Sequence, residues 1–237
     1  MARIILVHGA WGNAKSWAAV EPLLTEAGHQ VEALDLPGHG RGAEPSGEIG
    51  QEAYVDHVEA RLLAGPPALL VGHSMGGIVI AQVASRQPKQ VRACAFVTAL
   101  LPRDGESLLG LIRQQATSGV MGAVRKGPVP GTTVLDPAAA EVLFPDATAK
   151  AAVLAMSAMS VQSDKAQKDK AVIGPGFAAV PRAYVFCDQD LVVTPALQRQ
   201  MVAATPCEAE FTLHCGHAPM LTQPKALAEI LLGLAAG

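Results

Sequence analysis

The chain is short of the residues that usually announce a large partner. Aromatic side chains make up 4% of its 237 residues and charged ones 16%, and the formal net charge is only −3. No run of like charges interrupts it. Such a balance offers no electrostatic footprint for nucleic acid or for an anionic membrane surface, so a small molecule is the expected partner. The four cysteines, Cys94, Cys187, Cys207 and Cys215, lack Cys-x-x-Cys spacing and any metal-ligand pattern. Neither a metal nor a cofactor is expected. Met1-Ala2-Arg3 before Ile4–Val7 is too short for a secretory leader, and no apolar stretch approaches the roughly 20 residues of a membrane span. The reading is a reduced, cytoplasmic protein. Its oligomeric state stays open between monomer and homodimer.

What the chain does hold is apolar material, 50% of all residues, enough for a large two-sided core. Six short apolar runs read as strands: Ile4–Val7, Val31–Leu34, Ala68–Val71, Val91–Thr98, Ala183–Cys187 and Ala209–Leu213. Helical patterns alternate with them at Trp17–Ala27 (Ser16 as N-cap, Gly28 as stop), Gln51–Leu63, Met75–Arg86, Pro195–Ala203 and Pro224–Leu234. Alternation of this kind means an α/β fold, a mostly parallel sheet of about six strands with helices on both faces. From Pro102 to Pro181 the rhythm breaks, with Gly and Pro clusters at 127–131 and 174–176 around short helical candidates at Ala138–Leu143 and Ala147–Met159. We therefore expect one domain, with a core of residues 1–101 and 182–237 and an inserted helical cap of residues 102–181.

The most informative string is Gly72-His73-Ser74-Met75-Gly76-Gly77, directly after the apolar run Ala68–Val71. Gly-x-Ser-x-Gly between a strand and a helix describes a nucleophile elbow, in which the serine sits on a turn so sharp that its hydroxyl projects from the sheet top. With 23 Gly and 9 Ser in the chain, such a string arises by accident about 0.08 times, so its strand–turn–helix setting carries the weight. A serine hydroxyl is a poor nucleophile unaided and needs a base, an acid and an oxyanion hole.

In this fold the chain order is nucleophile, acid, histidine. His29 and His57 sit in a turn and a helix away from the strand tops. His8 and His39 follow strands and could line the site, but both precede Ser74. His73 adjoins the serine, so its ring must turn away from Ser74 Oγ. Of the two histidines after Ala209–Leu213, His217 lies in a free loop while His214 sits at the strand end, where it should pack. Asp190 is preferred to Asp188 as the acid because it lies further into the loop after Ala183–Cys187. The N–H of Met75 and that of Ala10, in the loop after the first strand, are the expected oxyanion donors. Trp11 and Met220 flank these loops and are pocket candidates; the cap methionines Met121, Met156 and Met159 suit a small apolar ester. Cys215, two residues before His217, is the one thiol whose position in the chain could bring it near the site.

On Val7-His8-Gly9-Ala10-Trp11, Leu34-Asp35-Leu36-Pro37-Gly38-His39-Gly40, the elbow, the Asp190 loop and the His217 loop, the chain resembles the α/β-hydrolase superfamily along almost its whole length. His-Gly-Ala-Trp, Leu100-Leu101-Pro102, Leu143-Phe144-Pro145-Asp146 and Pro195-Ala196-Leu197-Gln198 make it similar to the compact methylesterase and hydroxynitrile lyase branch. That resemblance implies a triad with Asp190 as its acid. It also implies two chemistries, because the lyases carry a lysine directly after the catalytic histidine and typically a threonine where this chain has Ala10. Here the position after His217 is Ala218. The expected activity is therefore serine-dependent hydrolysis of small carboxylic esters, with a C–C lyase and a non-catalytic binding member as the alternatives.

Overall fold

Strand β1 (Arg3–Val7) opens the chain, followed by β2 (Gln30–Leu34), β3 (Ala68–His73) and β4 (Val91–Val97). Residues 1–116 and 119–237 are described by a computed structural model. Three short strands come next, β5 (Val124–Lys126), β6 (Thr132–Leu135) and β7 (Gln162–Ser163), and then β8 (Arg182–Cys187) and β9 (Ala209–Leu213). The main sheet runs β2-β1-β3-β4-β8-β9 with every neighbouring pair parallel. Its central strands are continuous apolar runs buried on both faces, and every residue of β3 is buried.

Strand order and handedness place the helices. The step from β1 to β2 moves one way across the sheet and all later steps move the other. Right-handed crossovers then put helix Glu21–Glu26 on one face and helices Gln51–Leu63 and Gly76–Arg86 on the opposite one. The C-terminal helix Pro224–Ala236 packs beside Glu21–Glu26. The single helix expected over Trp17–Ala27 is instead a 3-10 turn, Ala14–Trp17, and a short α-helix, Glu21–Glu26. Pro22 explains the break: it has no N–H to continue a helix and is tolerated only in a first turn. Ser16 is not the N-cap. Asn13 caps that turn, and Ser16 returns its hydroxyl to the Asn13 N–H in a capping box.

The span 102–181, expected as a helical cap, also contains strands. Beside short helices such as Ala149–Ser157 it holds an antiparallel sheet, β5-β6-β7. Strands of two to four residues are too short to show an alternating pattern, so only pairing reveals them. This cap is fastened to the loops after β1 and β2: Asn13 Nδ2 donates to Ala158 O at 2.6 Å and Gly40 N–H to Ser160 Oγ at 3.2 Å. No helix among the described residues is long and apolar enough to cross a membrane.

Candidate active site

β1 lies between β2 and β3, so the connections leaving the C-terminal ends of β1 and β3 run in opposite directions and open a crevice. His8–Gly12 leaves β1 there and Ser74 leaves β3. Ser74 holds a left-handed backbone, φ 53°, a conformation that raises a non-glycine residue by about 1–2 kcal/mol. Its neighbours permit this. A Cβ on Gly72 would lie 2.7 Å from the Gly76 carbonyl, and one on Gly76 would lie 2.6 Å from the Val7 carbonyl oxygen of β1. The turn is held by Leu100 N–H and Gly77 N–H, which donate to Ser74 O at 2.9 and 3.1 Å.

The loops after β8 and β9 carry Asp190 and His217. Asp190 is buried, 1% exposed. Its Oδ1 accepts from Val192 N–H at 2.6 Å and Val193 N–H at 3.0 Å; its Oδ2 accepts from the Thr98 hydroxyl and from His217 Nδ1, the latter at 2.7 Å. Four donors around one carboxylate leave it ready to face a proton on Nδ1, which fixes His217 in the tautomer with a lone pair on Nε2. Neither that Nε2 nor Ser74 Oγ makes a hydrogen bond among the described residues, and a serine–histidine contact commonly tightens only when substrate binds. His73 turns its ring to the His217 loop. Its Nε2–H donates to His217 O at 2.7 Å, and the two rings lie 4.7 Å apart. Burial, and the neighbouring His217, hold the His73 pKa well below the usual histidine range, so His73 is a neutral support.

A second histidine aims the loop after β1. His8 Nε2 accepts from Leu36 N–H at 3.1 Å, so its proton sits on Nδ1, which donates to Gly9 O at 2.8 Å. Burial and the adjacent His39 ring push the His8 pKa down to about 3. Gly12 N–H also donates to Gly9 O, at 3.1 Å. Because the Gly9–Ala10 peptide is trans, fixing that carbonyl points the Ala10 N–H the opposite way. This peptide runs against the serine: a Cβ on Gly9 would lie 2.7 Å from Ser74 Cβ. Neither Ala10 N–H nor Met75 N–H donates to any group among the described residues.

With this geometry in place, comparison with known proteins is decisive about ancestry. Residues 4–230 match the alpha/beta hydrolase family. The chain belongs to that family. The hydrolase is 30% identical to Esterase PIR7B of Oryza sativa subsp. japonica, over 98% of this chain and 94% of that protein. It is 28% identical to Methyl jasmonate esterase 1 of Vitis vinifera, over 96% and 94%. Among solved structures, it is similar to polyneuridine aldehyde esterase, with TM-score 0.87, 25% identity and 99% of each chain covered. A pyrethroid hydrolase from Sphingobium faniae JZ-2 matches with TM-score 0.85 and 25% identity, over 100% of this chain and 98% of that one.

The rejected candidates of the hydrolase have other surroundings. His214 does not pack at its strand end; its side chain is 79% exposed and pairs with Asp188, Nδ1 to Oδ2 at 2.5 Å. Cys215 is buried against Cys187, Sγ to Sγ 3.5 Å, and that contact together with burial pushes the Cys187 thiol up, away from the thiolate. Of the pocket candidates, Trp11 and Met220 are buried, Met156 and Met159 are half-buried, and Met121 is 45% exposed. Met159 lines a cavity of about 400 Å³ between the loops after β1 and β2 and cap residues 157–161, which Ser74, Asp190 and His217 do not line. Two residues of the site were missed in the sequence. Thr98 ended a run read as plain strand, although a polar residue closing an apolar run at a strand's C-terminal end was a usable signal. Gln162 gave none.

Proposed function

We propose that this hydrolase cleaves small carboxylic esters, methyl esters among them, through an acyl-enzyme on Ser74. The observation that carries the reading is the buried His217–Asp190 pair behind a serine held at φ 53°, with two free N–H groups on the adjoining turns. His217 Nε2 takes the Ser74 proton as Oγ bonds to the ester carbonyl carbon. The carbonyl oxygen becomes an oxyanion that accepts from Ala10 N–H and Met75 N–H, donors that need no reorganisation at that moment. Collapse breaks the C–O bond, and His217 returns its proton to the departing alkoxide, releasing an alcohol. Water then attacks the acyl carbon, gives its proton to His217, and a second collapse frees the acid and restores the Ser74 hydroxyl. Asp190 holds the tautomer and stabilises the imidazolium formed twice in each cycle.

The names of the relatives, esterase and methyl jasmonate esterase, support a carboxylic ester as the substrate. Ala218, buried directly after His217, offers no cation to a departing cyanide, which favours hydrolysis over the lyase reaction. The test is an ester series of varied acyl and alcohol size, run on wild type and Ser74→Ala, with fluorophosphonate labelling of Ser74. We expect short and aryl esters to be preferred, one label per chain on Ser74, and loss of at least about 10³-fold in Ser74→Ala. Ester hydrolysis persisting in Ser74→Ala overturns the proposal.

A further inference from the structure

The turn that carries Ala10 is not held by the core alone. Trp11, the next residue, has a left-handed backbone, φ 57°, a conformation a bulky side chain adopts only when its surroundings over-determine it. Its three polar groups all go to the cap. Trp11 N–H donates to Gln162 Oε1 at 3.2 Å, Trp11 O accepts from Ser160 N–H at 2.7 Å, and the indole Nε1–H donates to Thr133 Oγ1 at 3.3 Å. Thr133 and Gln162 are register partners in β6 and β7. The cap sheet is thus the outer frame of this turn.

Gln162 is the centre of that frame. It is wholly buried and its amide is fully used. Oε1 faces Trp11 N–H and His39 Nε2, the second at 3.1 Å, while Nε2 donates to Tyr54 Oη and Ser163 O, each at 3.1 Å. A backbone N–H can only donate, so the amide oxygen must face Trp11 and the orientation of the side chain is unique. One side chain therefore ties together the oxyanion turn, the loop after β2 through His39 and helix Gln51–Leu63 through Tyr54. A glutamine buried merely to fill space would be an expensive choice, since an apolar residue of similar volume needs none of these four partners.

We infer that Gln162 is a positioning residue for catalysis: by holding Trp11 N–H from the cap side, it keeps the Ala10 N–H aimed at the oxyanion. His8 fixes the same turn from the core side, so the donor is clamped between core and cap. The inference rests on the proposed role of Ala10 and Ser74, and it concerns the transition state rather than substrate binding. Loss of Gln162 should lower kcat while leaving KM nearly unchanged, because the oxyanion exists only after attack.

The test uses Gln162→Met, of similar size without the amide, and the milder Tyr54→Phe, which removes one partner of Gln162 Nε2. For each, kcat and KM on a p-nitrophenyl ester are measured per active site, counted by end-point titration with a fluorophosphonate. The inhibition constant of an aryl trifluoromethyl ketone, which forms a tetrahedral oxyanion on the serine, is measured beside them. We expect kcat per titrated site to fall about 10–100-fold in Gln162→Met and about 3–10-fold in Tyr54→Phe. KM should stay within about threefold and the ketone should weaken in step with kcat, with less than additive loss in the double variant. Unchanged kcat per titrated site in Gln162→Met, even with fewer titratable sites, reduces Gln162 to a packing residue and overturns the inference. If Gln162→Met yields no folded protein, unchanged kcat and ketone affinity in Tyr54→Phe overturn it. A wild type whose Ser74 takes no label sinks the proposed function itself, whereas full labelling with unaffected variants sinks only this inference.

Discussion

His217 Nδ1 and Asp190 Oδ2 lie 2.7 Å apart, and every other lone-pair direction of Asp190 is engaged by Thr98, Val192 or Val193. In Asp190→Asn an amide N–H₂ or a neutral carbonyl faces Nδ1, so the imidazole loses its charge partner and the tautomer it needs. We expect kcat to fall about 10³–10⁴-fold with KM little changed. Asp188→Asn breaks only the pair with His214, whose side chain is 79% exposed, and exposed pairs contribute about 0–1 kcal/mol. Its kcat should stay within about twofold of wild type. The reverse ranking of the two variants would show that the acid has been misassigned.

Thr98 should be the next most sensitive position around that carboxylate. Its hydroxyl donates to Asp190 Oδ2 from a left-handed backbone, φ 37°, and in Thr98→Val a buried carboxylate loses one of four donors. Removing a partner from a buried charged group costs about 1–3 kcal/mol, and Asp190 gains freedom to leave His217. Denaturant unfolding should register that loss, and kcat should drop about tenfold. Thr98→Ser, which restores the hydroxyl, should recover kcat to within about threefold. A Thr98→Val enzyme of full activity would mean that the backbone N–H groups alone hold the acid.

What the sequence revealed of this architecture follows from the range of the interactions involved. The sheet was legible because buried parallel strands are unbroken apolar runs punctuated by Gly and Pro: Ala209–Leu213 appears as read, and Ala68–Val71 is extended only to His73. The elbow was legible because its glycines are dictated by contacts a few residues away. The break at Pro22 was readable and overlooked. Thr98 and Gln162 belong to a different class: a polar residue closing an apolar run marks Thr98, but the partners Asp190 and Trp11 lie 92 and 151 positions distant, and no local pattern records either contact. The cap strands escaped for the same reason: two to four residues take their conformation from pairing, not from their own periodicity.

The elbow glycines can be tested against a glycine that has no such duty. A Cβ on Gly76 would meet the Val7 and His8 carbonyl oxygens at 2.6 and 2.8 Å, both backbone atoms of β1 and its exit. Gly76→Ala must therefore displace the helix start from the sheet, and we expect a loss of at least about 3 kcal/mol together with activity. Gly233, in the exposed face of the C-terminal helix, has nothing within 4 Å of an added Cβ. Gly233→Ala should stabilise by about 0.5–1 kcal/mol with kcat unchanged. Thermal unfolding of the two variants side by side checks both signs, and a well-folded, active Gly76→Ala would contradict the close approach.

Buried neutral histidines should make this protein sensitive to mild acid. Burial and the adjacent His39 push the His8 pKa down to about 3, and burial lowers His39 and His73 in the same direction. The unfolded chain takes up protons near pH 6.5 while the folded one does not, so the unfolded state gains as pH falls through that range. The stability contributed by neutral His8 is complete above about pH 6.5 and is lost progressively towards pH 3. From pH 6.5 to 4.5 that amounts to about 2–3 kcal/mol for His8 alone, with the other two adding to it. His8→Asn keeps an N–H donor for Gly9 O without a group that titrates. Its unfolding free energy should fall less steeply with acid than wild type, by about 1 kcal/mol per pH unit across that window. Parallel curves for the two proteins in denaturant titrations at pH 4.5, 5.5 and 6.5 would show that His8 takes up its proton in the folded state, and that the turn bearing Ala10 is held by something else.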